Sequence, residues 1–358
     1  MARPSKAMIN LAALRHNFAI AQSLAPESNL IPVIKANAYG HGAEQCAAAL
    51  AGVAPAFAVA CIEEAIQLRE TGINQPILLL EGAFEVIELQ IALENNFYLM
   101  IENQRQLEML LEAKLSRRLN VWLKVDSGMH RLGFAPEQVS AVWQALSESP
   151  NVASDVVLTS HFSSAEDLQS PATPKQIALM KTLVDEVGTA ITSLANSAGL
   201  IAWPESHGTW NRPGYMIYGR NPLCENDLDL RPVMRFVSKV SSIRSVQKGD
   251  SVGYNGVWTA KRTSTIATIP VGYGDGYPRT AKAGTPVLVN GVRAPLVGTV
   301  SMDMILVDVT DIDNVQIGSN VELWGENITV DEIGDCSSSN GYEVLTRMPA
   351  RVLREYRD

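Results

Sequence analysis

Short apolar runs recur along the first two thirds of the chain, separated by longer stretches with charged residues at helical spacing. Runs of this kind, bounded by turn residues, are typical of strands buried on both faces of a parallel sheet. We predict eight such strands, at residues 30–34, 56–60, 76–80, 97–101, 121–125, 156–161, 191–195 and 216–218. Helices between them, for example at residues 62–70 and 104–113, complete the alternation. Eight parallel strands close a barrel, so the pattern predicts an α/β fold with a (β/α)8 TIM-like barrel.

The pattern changes near residues 228–232, where strand-like alternation and turn dipeptides such as Asn290-Gly291 replace the helical stretches. We therefore predict a barrel domain of residues 1–230 and a smaller, mainly β C-terminal domain of residues 231–358. Residues 1–9 form a separate leading strand that we expect to join the β domain, before Asn10 caps the first helix. An open doubly wound sheet is the alternative fold, but no G-x-G-x-x-G motif follows the first strand.

Composition narrows the class of protein. The 358 residues suit a barrel of about 250 residues with a smaller partner domain. No apolar run approaches the roughly 18 residues that a membrane span needs, and a net charge of −9 opposes nucleic-acid binding. The first residues lack an apolar signal segment, which predicts the cytoplasm. Cys46, Cys61, Cys224 and Cys336 are dispersed without a C-x-x-C pair, so we expect no metal site and no disulfide framework, and most of them should be packing residues.

Polar residues follow the predicted barrel strands. Lys35 ends the first, Lys124 lies in the fifth, His161 ends the sixth, and Asn196 and Ser197 follow the seventh. In a parallel barrel these strand ends share one face, where chemistry gathers. A partly buried lysine on rigid backbone has a lowered pKa and can attack a carbonyl. Each residue alone has a structural explanation, such as an ordinary ion pair for the lysine, but their joint occurrence favours an active site.

Two of these strand ends resemble motifs of the alanine racemases: VIKANAYGHG, which contains Lys35, and KVDSGMHRLG, which contains Lys124. The resemblance extends over almost the whole chain. It implies that pyridoxal 5'-phosphate (PLP) is bound covalently to Lys35. It also implies further cofactor contacts from Tyr39, His161, Asn196, Ser197, Arg212, Gly214, Tyr215 and Tyr342.

The same resemblance assigns roles around the cofactor. Lys124 is carbamylated, and the resulting anion fixes Arg131 near the substrate carboxylate. Arg212 faces the pyridine nitrogen. Its guanidinium is always charged and only donates a hydrogen bond, so the ring nitrogen accepts that bond and is expected to stay unprotonated. A neutral pyridine is a weaker electron sink, which favours racemisation over transamination. We expect His161 to form a hydrogen bond with Arg212.

Three motifs of the β domain, VGYNG, GYGDGYPR and SMDM, resemble racemase segments that enter the active site from the opposite subunit. By that resemblance Tyr254 is the second catalytic base, opposite Lys35. Met302 and Asp303 line the substrate pocket, and Tyr273 narrows its entrance. The partner is therefore a second copy of the chain, in a homodimer with shared active sites.

The predicted function is interconversion of L- and D-alanine, either for peptidoglycan precursors or for alanine catabolism. A racemase of another or a broader set of amino acids on the same scaffold is the alternative, since Tyr215 and Trp258 depart from the family pattern. A non-catalytic PLP-binding protein would need neither Tyr254 nor the β domain, and the presence of both disfavours this alternative. A decarboxylase on the related barrel would be expected to pair the pyridine nitrogen with a carboxylate and so conflicts with Arg212.

Overall fold

The computed structural model describes residues 3–223 and 228–358. These residues divide into two compact units. One contains residues 14–38 and 43–230, and the other contains the residues up to 13, residues 39–42 and residues 231–358. Among the described helices, none has the length and apolar character needed to cross a membrane.

The chain begins with strand β1 (Lys6–Asn10), which belongs to the second unit. The strands of the first unit are β2 (Asn29–Leu30), β3 (Phe57–Val59), β4 (Ile77–Leu79), β5 (Phe97–Ile101), β6 (Val121–Lys124), β7 (Val157–Thr159), β8 (Thr192–Ser193) and β9 (Trp210–Asn211). The helices in this part of the chain are α1 (Leu11–Leu24), α2 (Ala43–Leu50), α3 (Ile62–Glu70), α4 (Val86–Glu94), α5 (Gln104–Glu112), α6 (Val139–Glu148), α7 (Ala172–Val187) and α8 (Ser197–Ala202). As predicted, the Asn10 side chain caps α1 by accepting a hydrogen bond from the Ala13 amide at 2.8 Å.

Backbone hydrogen bonds close the strands of the first unit into a ring. Strands β3 to β8 form a six-stranded parallel sheet, and β2 pairs in parallel with β9. The Ile34 amide donates to the Ala58 carbonyl (2.8 Å), which joins the segment after β2 to β3. The Arg212 amide donates to the Ala195 carbonyl (2.9 Å), which joins the ends of β9 and β8. The predicted barrel class is confirmed.

Two of the predicted strands differ from the structure. Residues 216–218 are not the eighth strand, because Tyr215–Tyr218 is a 3-10 helix and β9 takes the eighth place in the ring. All four of its residues are buried, with Tyr215 at 3% exposure. The prediction was wrong because the periodicity of a short, buried apolar run does not distinguish a strand from a helix. The first strand is reduced to β2 and an isolated bridge from Val33 to Ala58, because Pro32 between them has no amide to donate.

The second unit is mainly β. Its further strands are β10 (Met234–Lys239), β11 (Ser242–Val246), β12 (Ser251–Val252), β13 (Trp258–Thr259), β14 (Ser264–Ile269), β15 (Pro286–Val289), β16 (Val292–Val297), β17 (Ile305–Asp308), β18 (Asn320–Trp324) and β19 (Leu353–Arg357). Its helices are α9 (Val330–Cys336) and α10 (Gly341–Thr346).

Nine strands of this unit form one sheet in the order β11, β14, β17, β16, β15, β18, β10, β1, β19. Strand β1 lies inside it, antiparallel to β10 and parallel to β19. The turn between β15 and β16 has positive φ at Asn290 (49°) and Gly291 (85°), the conformation that Asn-Gly favours in tight hairpins.

Of the four cysteines, Cys61 and Cys336 have free thiols and Cys46 is buried, while Cys224 lies outside the described residues. In residues 3–223 and 228–358, no cluster of three or more His, Cys, Asp or Glu side chains has the arrangement of a metal site.

Candidate active site

Lys35 opens a turn of left-handed helix. Ala36, Asn37 and Ala38 have φ of 51°, 55° and 53° with ψ near 50°, and Tyr39 follows with φ 51°. The left-handed conformation costs an L-residue roughly 1–2 kcal/mol, and it occurs mostly at single residues. Four consecutive non-glycine residues in this conformation must therefore be held by contacts from outside the turn. Strain of this kind collects at functional sites.

Glu64, in the first turn of α3, provides those contacts. Its Oε1 accepts a hydrogen bond from the Ala36 amide at 2.6 Å, and its Oε2 accepts one from the Ala60 amide at 2.8 Å. From inside the turn, Asn37 Oδ1 accepts a hydrogen bond from the Ala43 amide at 2.8 Å. One carboxylate thus ties the lysine turn to the end of the neighbouring strand. Sequence reasoning did not single out Glu64, because these contacts link separate segments.

The Lys35 amine is partly buried, and its surroundings favour the neutral form. Burial is the main cause of its lowered pKa, and the positive charge of Arg131 adds to the effect. The carboxylates of Glu81 and Glu64 oppose the shift without cancelling it. A neutral amine is the form that attacks a carbonyl, so the environment of Lys35 suits covalent chemistry.

Arg212 is buried, with 4% exposure, and donates hydrogen bonds to the ends of two barrel strands, β7 and β8. Its Nη1 donates to Ser193 Oγ at 2.6 Å and to Thr159 Oγ1 at 3.2 Å. Its Nη2 donates to the Ser160 carbonyl at 2.7 Å. No described residue accepts a hydrogen bond from Nε. Burial lowers the pKa of Arg212 to about 10, so it stays a cation at neutral pH and keeps one N–H for a ligand.

His161 forms the expected hydrogen bond, with Arg212 Nη2 donating to His161 Nδ1 at 3.2 Å. Because a guanidinium only donates, Nδ1 accepts and the ring proton lies on Nε2. Burial, followed by the positive charge of Arg212, holds the pKa of His161 well below its usual value. The imidazole is therefore neutral and offers one N–H donor.

Asn196 and Ser197 form the start of α8, next to the segment that follows Arg212. Asn196 Oδ1 caps the helix by accepting from the Gly199 amide at 2.9 Å. Ser197 Oγ accepts from the Gly214 and Met216 amides at 3.0 and 3.2 Å. With two donors bound, the buried Ser197 hydroxyl retains its own proton for an anionic ligand.

Lys124 ends β6, and Arg131 lies on the loop that follows. Burial is the main cause that lowers the pKa of Lys124 to about 7, and the charges of Arg212 and Arg131 contribute. The loop is closed by Asp126, whose Oδ1 accepts from the His130 amide at 2.9 Å. The Arg131 side chain itself is exposed. Sequence reasoning missed one group here, the buried carboxyl of Glu102 at the end of β5.

In the second unit, the Tyr273 loop is bonded directly to the segment that carries Met302. The Tyr273 amide donates to the Ser301 carbonyl at 3.0 Å, and the Gly274 amide donates to the Met302 carbonyl at 2.8 Å. A Cβ on Gly272 would lie 2.2 Å from the Ser301 oxygen, so this approach requires glycine. The two predicted pocket segments are therefore one structural piece.

A buried carboxylate, Asp275, organises this piece. It binds Arg3 through two contacts of 2.7 Å, and Arg351 Nε at 2.8 Å. Arg351 also pairs with Asp303, at 2.9 Å from Nη2 to Oδ1. Asp303 is thus held by an ion pair that sequence reasoning did not foresee, since its partner Arg351 is distant along the chain.

Tyr39 and Tyr342, both predicted to contact the cofactor, are brought together in the second unit, with ring centroids 6.0 Å apart. Burial raises the pKa of Tyr39 to about 12, so its hydroxyl remains a donor. Tyr254 lies on a turn, and its side chain is 65% exposed. Met302 (53%) and Tyr273 (38%) are also exposed.

The sequence matches two family profiles, "Alanine racemase, N-terminal domain" over residues 9–222 and "Alanine racemase, C-terminal domain" over residues 233–356. It is 48% identical to the alanine racemase of Pseudoalteromonas atlantica over 99% of each chain. Two Pseudomonas aeruginosa racemases, named biosynthetic and catabolic, are 45% and 46% identical, each over 99% of both chains.

Solved structures agree with these matches. The crystal structure of the biosynthetic alanine racemase from Pseudomonas aeruginosa has a TM-score of 0.96 at 45% identity, covering 99% of this chain and all of the other. The alanine racemase from Bartonella henselae, solved with covalently bound pyridoxal phosphate, has a TM-score of 0.92 at 30% identity, covering 99% of each chain.

Proposed function

The chain belongs to the alanine racemase family and is a PLP-dependent alanine racemase, in which we propose that Lys35 binds the cofactor and shares proton transfer with Tyr254. The observation that carries the assignment of Lys35 is its amine, partly buried with a lowered pKa on a strained left-handed turn. A lysine in these surroundings is prepared for attack on an aldehyde rather than for an ordinary surface ion pair.

The residues of the site fit PLP. The Lys35 amine would hold it covalently, and the Ser197 hydroxyl, with its proton still free, would donate to the phosphate. The resemblance to the racemases adds Tyr39 and Tyr342 as cofactor contacts. Asn196 and Gly214 would complete this phosphate region. When bound, PLP supplies an electron sink that makes the α-proton of an amino acid acidic.

Arg212 determines how strong that sink is. Its Nη1 and Nη2 are engaged by the protein, so the unused Nε–H is the group that would donate to the pyridine nitrogen. An arginine that stays charged provides no proton to this nitrogen, whereas a carboxylic acid would. By donating only a hydrogen bond, Arg212 would leave more negative charge at the α-carbon and so favour return of the proton to that atom. The neutral His161 accepts a hydrogen bond from Nη2 and so helps to position the guanidinium.

Racemisation without a moving base needs one proton acceptor on each face of the α-carbon. We propose Lys35 for one face and Tyr254 of a second copy of the chain for the other. The exposure of Tyr254, Met302 and Tyr273 supports a homodimer, because these large side chains are uncovered in a single chain. In this arrangement Met302 and the ion-paired Asp303 line the substrate pocket and Tyr273 its entrance.

Alanine is the substrate, and we propose that Arg131 binds its carboxylate beside a carbamylated Lys124. The lowered pKa of Lys124 supports the modification, since only the neutral amine reacts with CO2. Relatives named biosynthetic and catabolic are matched at similar identity, so both roles stay open. A cytoplasmic location remains the prediction of the sequence.

Subunit mixing tests the composite site. Lys35→Ala and Tyr254→Phe proteins should each be nearly inactive, because every site lacks one base. After random exchange, about half of the dimers are mixed and each has one intact site, so about a quarter of all sites should recover. The assay is D-alanine formed from L-alanine, separated by chiral chromatography.

Exchange is verified by mass spectrometry of intact dimers. Mixing Lys35→Ala with a Lys35→Ala/Tyr254→Phe double variant provides the matched control, since neither site of that dimer contains both bases. No recovery despite verified exchange would place both bases on one chain and refute the shared site. The same chromatography with other L-amino acids measures substrate breadth, for which Tyr215 and Trp258 are the residues of interest.

A further inference from the structure

Glu102 and Lys124 are neighbours across two adjacent barrel strands. Strands β5 and β6 pair with Ile101 opposite Leu123, and extending that register by one residue sets Glu102 opposite Lys124. The next strands continue the row, with Lys124 opposite Thr159 and Thr159 opposite Ser193.

This row ends at Arg212, which donates to the hydroxyls of both Thr159 and Ser193. Glu102 is thus the carboxyl end of a polar row whose other end is the guanidinium proposed to face the cofactor. Cross-strand neighbours on one face of a sheet interact directly or through a small bridging group.

Neither member of the Glu102–Lys124 pair is satisfied by the rest of the protein. Glu102 is 8% exposed, and its buried Oε2 has no hydrogen-bond partner among the described residues. The Lys124 amine likewise has no ion pair or hydrogen bond within the described part of the chain. A buried polar atom without a partner is costly, so such an atom in a functional site points to a group that binds there.

The protonation of the pair matches this arrangement. Burial is the main cause that raises the pKa of Glu102 to about 7, with Glu81 adding to the rise while Lys124 and Arg131 oppose it. The pKa of Lys124 is lowered to about 7. Near neutral pH the amine is therefore partly a neutral nucleophile, and the carboxyl can either accept or donate a proton.

We propose that Glu102 accepts the proton released when Lys124 is carbamylated by CO2, and then donates a hydrogen bond to the carbamate. The inference rests on the proposed modification of Lys124. The nitrogen lone pair forms the N–C bond, and one C=O π pair moves onto oxygen. An N–H proton passes to the Glu102 carboxylate. Neutral amine, CO2 and carboxylate thus become carbamate and carboxylic acid, with one negative charge before and after.

The protonated Glu102 supplies the carbamate with a hydrogen-bond donor. The carbamate is an anion and needs donors, and an ionised carboxylate beside it would repel it. A carboxyl whose neutral form is favoured by burial provides a donor instead. On its other side the anion remains within the field of Arg131, which the proposed function places at the substrate carboxylate.

Nuclear magnetic resonance of the holoenzyme in 13C-bicarbonate tests the proposal. A carbamate resonance is expected in the unsubstituted protein and should be absent from Lys124→Met, which assigns it. In Glu102→Leu, which has neither acceptor nor donor, occupancy at equal bicarbonate should fall by at least about tenfold, the effect of losing a hydrogen bond to a charged group. Glu102→Gln keeps a hydrogen-bond donor but has no base. After dialysis against CO2-free buffer and return of 13C-bicarbonate, it should therefore regain the carbamate more slowly than the unsubstituted protein.

Asp126→Asn is the matched control, since Asp126 also lies in the field of Lys124 but is already satisfied by the amides of its own loop. Its carbamate occupancy should equal that of the unsubstituted protein. Cofactor absorbance of each variant reports the integrity of the fold. If both Glu102 variants matched the unsubstituted protein in carbamate occupancy and in the rate of carbamate uptake, the role of Glu102 would be overturned while the carbamate itself remained. No carbamate resonance in the unsubstituted protein would refute the modification itself.

Discussion

The left-handed turn after Lys35 makes a quantitative prediction about Glu64. Its four strained residues carry roughly 1–2 kcal/mol each, or about 4–8 kcal/mol together. Glu64 opposes this strain with hydrogen bonds to two backbone amides, from Ala36 and Ala60. A hydrogen bond to a charged acceptor contributes about 1.5–3 kcal/mol. Solvent screens a partly exposed carboxylate, so we expect Glu64→Ala to lower the free energy of unfolding by about 2–4 kcal/mol.

Loss of the Glu64 hydrogen bond should affect the position of Lys35 most, because Ala36, whose amide donates that bond, directly follows it. Urea unfolding of the holoenzyme measures the stability, and recovery of cofactor absorbance after removal and readdition of PLP measures how well Lys35 is placed. Glu63→Ala is the matched control, with the same substitution at the preceding, exposed position of the same helix. Glu64→Gln keeps one carbonyl acceptor and should lie between the two.

Equal unfolding free energies for Glu64→Ala and Glu63→Ala would mean that the carboxylate does not hold the turn. Equal rates of PLP recovery, with a stability difference present, would mean that the strain is structural and does not position the lysine. The expected result is that both quantities change in Glu64→Ala and neither changes in Glu63→Ala.

Three further predictions concern the barrel site. Borohydride reduction followed by peptide mapping should place the pyridoxyl group on Lys35, and a label on another lysine would contradict that assignment. Arg212→Glu should slow racemisation and increase transamination, seen as pyruvate formed from alanine, because a carboxyl group allows the pyridine nitrogen to take a proton; unchanged rates of both would mean that Arg212 does not face the ring. In CO2-free buffer the free energy of unfolding should rise between about pH 7 and 9, by up to about 1.4 kcal/mol per pH unit, because the folded Lys124 amine with its pKa of about 7 is neutral while the unfolded chain binds a proton. Lys124→Met should flatten that rise, and an equal slope in both proteins would contradict the lowered pKa.

The residues proposed for the site were available from the sequence because they stand in short motifs at strand ends. A strand end fixes both the position and the direction of a side chain, so Lys35, Lys124 and His161 could be placed without knowing any long-range contact. The hydrogen bond from Arg212 to His161 was predicted from the resemblance to the racemases. Motif residues of the β unit, such as Tyr273 and Met302, could be identified from the sequence, but the hydrogen bonds between their segments could not be predicted.

What the sequence did not predict depends on contacts between distant segments or on local ambiguity. Residues 216–218 are apolar and buried, which fits a strand and a helix equally. The residues Ala36 to Tyr39 favour no left-handed turn by themselves, since the conformation depends on Glu64. Asp275 and its arginine partners bring the two ends of the chain together. Glu102 stands in no motif, and only strand register sets it beside Lys124.

These contacts explain why the barrel site suits anions in a chain of net charge −9. Burial lowers the pKa of both Lys35 and Lys124, and the charges of Arg131 and Arg212 lower it further, so the cations of the site destabilise one another. Glu81 and Glu102 offset only part of this repulsion. A phosphate, a carbamate and a substrate carboxylate would supply the missing negative charge. Because ligands that bind only the folded state stabilise it, relief of this repulsion strengthens the binding of an anionic cofactor.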